Sequence, residues 1–171
     1  MCEQINQVDK MRHSLSHVLA AAVQELYPTT TFGIGPAIEN GFYYDIDFGG
    51  DKVSDADLPK IEKKMRGIIA RGAKMQEREA TRDEALSWAK ENGQRLKTEL
   101  IAELADGETI TFYDMVAPDG TVIFTDLCKG PHVEDLKEIG AFKLSRVAGA
   151  YWRGDEKREM LTRVYGVAFE T

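Results

Sequence analysis

Two short turns decide most of what this chain can fold into. Asn40-Gly41 lies within "TFGIGPAIENGFYYDIDF", and Asp119-Gly120 separates "ETITFYDMVA" from "TVIFTDL". Each pair is a strong signal for a tight hairpin flanked by strand-forming arms. Every strand-to-strand link that can be read with assurance is of this kind, whereas a doubly wound fold would show long helical crossovers. The expectation is therefore an α+β fold, mainly antiparallel sheet with packed helices. In the first hairpin Phe42, Tyr44, Ile46 and Phe48 alternate with Tyr43, Asp45 and Asp47. One side of that ribbon is apolar and the other polar.

The helical segments are legible by period. Over residues 9–27, Met11, Leu15, Val18, Leu19, Ala22 and Leu26 recur at helical spacing until Pro28 closes the run. At roughly 100° per residue they share a face, and His13, His17, Ala20, Ala21 and Gln24 take the opposite one. The small neighbours of the histidines suit the wall of a cleft, placed between this long N-terminal helix and the sheet. Ser54 opens a second helix carrying Leu58, Ile61, Met65 and Ile68 as far as Gly72, followed by a strand over residues 74–79. Thr81 and Glu84 form a capping box for a third helix that Gly93 ends, and a shorter helical pattern over 94–104 includes Lys97. A brief helical stretch over 135–139 precedes two more strands, "AFKLSRVAGAYWRGD" and "TRVYGVAF", joined through "RGDEKR".

A length of 171 residues suits one domain, or one domain with two lobes. No apolar run approaches the roughly 20 residues that span a bilayer, so no membrane partner is expected. "MCEQINQVDK" lacks the basic start and apolar core of a secretory signal. Cys2 and Cys128 make a poor disulfide framework, which points to a reducing, cytoplasmic setting. A formal charge of -7 argues against sequence-independent binding to nucleic acid, DNA included. Residues 127–171 carry eight Lys and Arg against seven Asp and Glu, so a nucleic acid end can dock there only weakly.

All three histidines fall in two motifs, "RHSLSHV" and "TDLCKGPHV". His13 and His17 are one helical turn apart, and Cys128 precedes His132 by four residues in a loop. Three nitrogens and one sulfur can thus converge, which is a tetrahedral zinc donor set. The alternative is two surface histidines and one loop histidine with no shared site.

In order along the chain, "RHSLSHVLAAAVQELYP", "GIGPAIENGFYYDIDF", "TDLCKGPHV" and "AGAYWRGDEKREMLTRVYGVAF" resemble the second amino-terminal, or editing, domain of bacterial threonyl-tRNA synthetases. The resemblance runs from about residue 11 to residue 169. A related domain of alanyl-tRNA synthetases and their free-standing editing relatives holds zinc on the same His, His, Cys, His pattern. In the threonyl branch the equivalent residues form a hydrolytic pocket that works without metal. The resemblance therefore implies a deacylase that removes serine from threonine-specific tRNA, with no cofactor. Its partners would be the 3′ end of the aminoacylated tRNA and the remaining synthetase domains. A synthetic site built for threonine cannot exclude the smaller serine, because a missing methylene changes binding by only roughly 1–3 kcal/mol. A second site that rejects the extra methyl corrects the error.

By the same resemblance His13 and His132 line the pocket and activate water, while His17 and Cys128 complete the motif. Cys128 as a covalent nucleophile is the less favoured role. Lys97 supplies a cation near developing negative charge, Asp126 orients that lysine or the substrate amine, Gly35 permits close backbone approach, and Tyr44 stacks on the terminal adenine or fills the hairpin core. Three departures stand out: Leu15 and Ser16 between the histidines, Lys129 where arginine is usual, and a longer segment between Lys97 and Asp126. Leu15 and Ser16 are expected to point elsewhere on the helix. The ubiquitin-like domain expected before Met11 and the synthetic and anticodon-binding domains expected after Thr171 are not in this sequence, as in an excised fragment or a natural stand-alone form. Two further readings remain: a zinc-stapled module that recognises the tRNA end without chemistry, and a zinc-dependent, alanyl-type editing domain.

Overall fold

The computed structural model describes residues 7–169, so Cys2 lies outside the described residues. In chain order the main elements are α1 (Gln7–Leu26), β1 (Thr31–Phe32), β2 (Ala37–Ile38), β3 (Gly41–Asp47), α2 (Leu58–Ala70), β4 (Lys74–Ala80) and α3 (Arg82–Glu91). There follow α4 (Arg95–Ala102), β5 (Ile110–Val116), β6 (Val122–Leu127), β7 (Ala141–Tyr151) and β8 (Met160–Phe169). Among the described residues no helix is long and apolar enough to cross a membrane.

The fold is α+β with two antiparallel sheets. The larger runs β1-β3-β8-β7, with β2 paired to β3; the smaller runs β4-β5-β6. Both sequence hairpins form, and the second closes through the Ala117 N–H to the Thr121 carbonyl at 2.8 Å. In the first, Ile38 pairs with Gly41, so the turn residues are Glu39 and Asn40, and Asn40 adopts φ 62°. Gly41 already belongs to the strand. A Cβ there would lie 2.0 Å from the Gly166 carbonyl oxygen, so this glycine serves the close approach of β8 rather than the turn.

α1 is the centre of the main core. Leu15, Val18, Leu19 and Ala22 are fully buried, but so are Ala20 at 0% and Ala21 at 1% exposure. The small-residue face is thus a second buried face for most of its length, with β2, β3, β6 and β8 around it and α2 beside it. This corrects the expectation of an open cleft wall along the whole face. Alanine suits a wall and a close helix–sheet contact equally, and sequence period does not separate them. The helix borders clefts only in places, near His13 and His17 and again at Gln24.

α4 is placed by a smaller core of Leu96, Trp152 and Leu161. The Trp152 indole N–H donates to Glu99 Oε2 at 2.6 Å, and Arg158 reaches the other oxygen of that carboxylate at 2.6 Å. Trp152, from the "AYWRGD" block, therefore grips the helix one residue from Lys97. Burying so large a side chain contributes several kcal/mol, since truncating such residues to alanine costs roughly 3–5 kcal/mol.

Candidate active site

The two histidine motifs meet although more than a hundred residues separate them. The ligating atoms of His13, His17, Cys128 and His132 all lie within 4.8 Å of one another. His13 Nε2 and His132 Nε2 each stand 3.3 Å from Cys128 Sγ, and the two rings stack with centroids 4.2 Å apart. His17 closes the group, its ring centroid 4.4 Å from that of His132. Separate surface histidines are therefore ruled out. β6 ends at Leu127 and delivers Cys128, after which Gly130 turns the loop at φ 71°. A Cβ on Gly130 would come within 2.3 Å of Tyr113 Oη, so that phenol backs the loop. Tyr113 donates to Glu77 Oε2 at 2.9 Å and meets the His132 ring at a steep angle, the ring centroids 4.4 Å apart. Burial, and then the bond to Glu77, pushes its pKa up to about 12, so it stays a donor.

Outer hydrogen bonds orient the imidazoles. His13 Nδ1 lies 3.1 Å from the Pro131 carbonyl oxygen; a carbonyl only accepts, so Nδ1 carries the proton and Nε2 offers a lone pair to the thiol side. His132 Nδ1 lies 3.0 Å from Ser14 Oγ. Burial lowers the pKa of all three histidines, with help from neighbouring His13 and Lys97 at His17 and from His17 and His13 at His132. Burial also raises Cys128 to about 11, against the opposing pull of the Gly130 N–H 3.2 Å from Sγ. The cluster is thus three neutral imidazoles around a thiol.

This cluster has more lone pairs than protons. A thiol has one proton to donate and two ring nitrogens sit 3.3 Å from it, so His13 and His132 cannot both be satisfied as acceptors by it. His17 Nδ1 is buried without a hydrogen bond: Asp126 Oδ2 is 3.3 Å away, close enough for a charge contact but not aligned to accept. A tetrahedral zinc with ordinary bond lengths needs donors about 3.3–3.6 Å apart, and the two Sγ–Nε2 distances meet that requirement. His13, His17, Cys128 and His132 can therefore hold a metal ion, which would act as a structural centre or polarise a bound oxygen.

Beside the cluster lies a closed polar network. Lys97 Nζ is 3.0 Å from Asp126 Oδ1 and donates to Tyr44 Oη at 2.9 Å, while Tyr44 donates to Asp126 Oδ2 at 2.5 Å. Lys97 and Asp126 are each 2% exposed and Tyr44 1%. The lysine is therefore not the solvated side chain of a wet cleft: it is a buried charge held by its carboxylate. Tyr44 is not open to an adenine either. A Cβ on Gly35 would lie 2.2 Å from its ring, so the close approach that Gly35 permits is to Tyr44 itself. Tyr44 thus takes the second of its two readings, filling the hairpin core; pattern alone could not choose between them, because it shows which face a residue is on but not what lies above it.

A cleft of about 250 Å³ runs past both groups. Among its lining residues are His13, His17 and Cys128, the Ile34–Pro36 segment, and Lys97 and Asp126. Ser16 does not point away as its place on the helix suggested: its hydroxyl lies 2.6 Å from the Gly35 carbonyl and ties α1 to the Ile34–Pro36 segment. At the rim Lys129 pairs with Glu108 at 2.6 Å. The predicted residues His13, His17, Gly35, Tyr44, Lys97, Asp126, Cys128 and His132 all come together here. Sequence reasoning missed Ser14, Tyr113 and Glu77. Ser14 alone left a trace, as a hydroxyl inside "HSLSH"; Tyr113 and Glu77 sit in ordinary strand patterns.

Comparison with known proteins agrees with this geometry. The profile of the family described as threonyl and alanyl tRNA synthetase second additional domain matches residues 110–165. The chain is 52% identical over 158 residues to a threonine–tRNA ligase of Porphyromonas gingivalis, covering 92% of this chain and 23% of that protein. It is 50% identical over 157 residues to the threonine–tRNA ligase of Bacteroides fragilis, and 48% identical over 159 residues to that of Clostridioides difficile. These matches cover 92% and 93% of this chain but only 23% and 24% of the relatives. The chain thus spans about a quarter of the length of the ligases it matches. The matched profile and the near-complete overlap of this chain with those relatives together place it in the family of threonyl and alanyl tRNA synthetase second additional domains.

Proposed function

We propose that this chain is the hydrolytic editing module of a cytoplasmic threonine–tRNA ligase, and that it deacylates serine attached to the 3′ end of threonine-specific tRNA. The observation that carries this reading is that His13, Cys128 and the buried Lys97 line one cleft, with the His13 Nε2 lone pair fixed by the Pro131 carbonyl and set beside the Cys128 sulfur. In the proposed reaction water attacks the ester carbonyl carbon and gives a proton to an imidazole Nε2 of His13 or His132. The carbon–oxygen bond to the ribose then breaks, the leaving ribose oxygen takes up that proton, and serine and free tRNA are released. Lys97 adds a positive charge where the tetrahedral oxygen or the ribose hydroxyls become negative. Cys128, a thiol with a pKa near 11, favours a water-directed route over covalent attack. His17 completes the pocket, and the Gly35 wall packed on Tyr44 limits its width against the methyl of threonine.

The proposed hydrolysis needs no cofactor. A second reading is favoured by one observation, the two nitrogens competing for one thiol proton: a zinc ion on the four residues, either stapling a tRNA-end recognition module or serving an alanyl-type hydrolase. Single-turnover deacylation of Ser-tRNA and Thr-tRNA, with metal analysis of the same protein, separates these. Serine-selective hydrolysis that persists in chelator supports the metal-free editing reading. Stoichiometric zinc without hydrolysis supports the recognition module, and hydrolysis abolished by chelator supports the zinc enzyme.

A further inference from the structure

We infer that Ser14 is a positioning residue: it holds His132 in the tautomer with the proton on Nδ1, so that a lone pair on Nε2 faces the Cys128 sulfur. Ser14 is fully buried and its hydroxyl is the meeting point of three groups. It donates to the Lys10 carbonyl at 2.8 Å and accepts from the Val133 N–H at 2.9 Å. A hydroxyl has one proton and two lone pairs. With its proton on the Lys10 carbonyl and one lone pair on Val133, the contact that remains is the one to His132 Nδ1 at 3.0 Å, where the serine accepts and the imidazole donates. His13 reaches the same protonation pattern through the Pro131 carbonyl. Two different acceptors, one a carbonyl and one a serine, thereby give the stacked rings the same polarity, with both Nε2 atoms 3.3 Å from Cys128 Sγ. Ser14 also anchors the loop itself, because the Val133 bond joins α1 to the residue after His132. The competing arrangement has the serine donating to His132 Nδ1, which would put an N–H toward the Cys128 sulfur instead.

The role in turnover rests on the deacylase reading; the tautomer does not. Nitrogen-15 spectra of the histidine rings in metal-free protein should show His132 protonated at Nδ1 and bare at Nε2. Protonation at Nε2 in the wild-type protein overturns the inference whether or not the chain hydrolyses anything. Ser14→Ala should shift the His132 signals toward mixed tautomers and lower the single-turnover deacylation rate about 10–100-fold, the range for losing a group that orients an active imidazole, with little change in KM. Ser14→Thr, which keeps the hydroxyl, should restore both signals and rate. Unchanged spectra and rate in a folded Ser14→Ala variant would refute the assignment; should that variant not fold, the wild-type spectrum and Ser14→Thr decide. If wild-type protein does not deacylate Ser-tRNA, the functional reading fails while the spectrum still tests Ser14.

Discussion

Two polar groups share one cleft, and they are finished to different degrees. Lys97, Asp126 and Tyr44 satisfy one another through three contacts between 2.5 and 3.0 Å. His13, His17, Cys128 and His132 are neutral, are held from behind, and leave lone pairs without partners at the centre. A closed network stabilises the fold and fixes a charge, whereas an open one is arranged to receive a proton, a water or a cation. The difference separates residues that hold the pocket from residues that act in it.

The sharpest way to break this comparison is Lys97→Ala. It leaves a buried carboxylate without its cation, and we expect about 3–5 kcal/mol loss of stability in denaturant unfolding besides lost deacylation. A loss below about 1 kcal/mol would mean that water reaches Asp126 and the network is not closed. Tyr44→Phe keeps the ion pair but removes the hydroxyl between its members, so a smaller loss of about 1–3 kcal/mol is expected by the same measurement. His13→Ala should invert the pattern: deacylation falls at least about tenfold while the unfolding midpoint barely moves, because half-buried His13 borders the cleft and its ring packs on no apolar core. A midpoint shift as large as that of Lys97→Ala would erase the distinction.

A separate test is a pH dependence. Burial lowers the pKa of all three histidines in the folded protein, so below the unfolded value of about 6.5 the unfolded chain binds protons that the folded chain refuses. Stability of the metal-free protein should thus be full above that pH and decline as pH falls through it, by up to about 1.4 kcal/mol per pH unit for each histidine. Unfolding midpoints between about pH 7.5 and 5 test this. A flat profile would show that the imidazoles take up protons in the folded state.

Much of this was legible in the sequence because it is local. The Thr81–Glu84 capping box, the alternation along β3 and the helical period of α1 each depend on neighbours a few residues away. The two histidine motifs were legible as a pair, since so few histidines gathered in two places must share a task. What could not be read depends on the third dimension. Tyr44 alternates like any core aromatic, and only the packing of Gly35 on its ring and the arrival of Lys97 from α4 show that its hydroxyl bridges an ion pair. Tyr113 and Glu77 lie in neighbouring strands in direct register, and their support of the Cys128 loop appears only once β4, β5 and β6 are assembled.

α1 is buried on two sides, and it carries His13 and His17 on the same rod as Leu15 and Leu19. A device that must tell two substrates apart by the width of one carbon atom has to be stiffer than the difference it measures. In the proposed reaction, fastening the reactive groups to a helix buried on two sides would supply that stiffness, so loosening the interior should blur discrimination before it stops turnover.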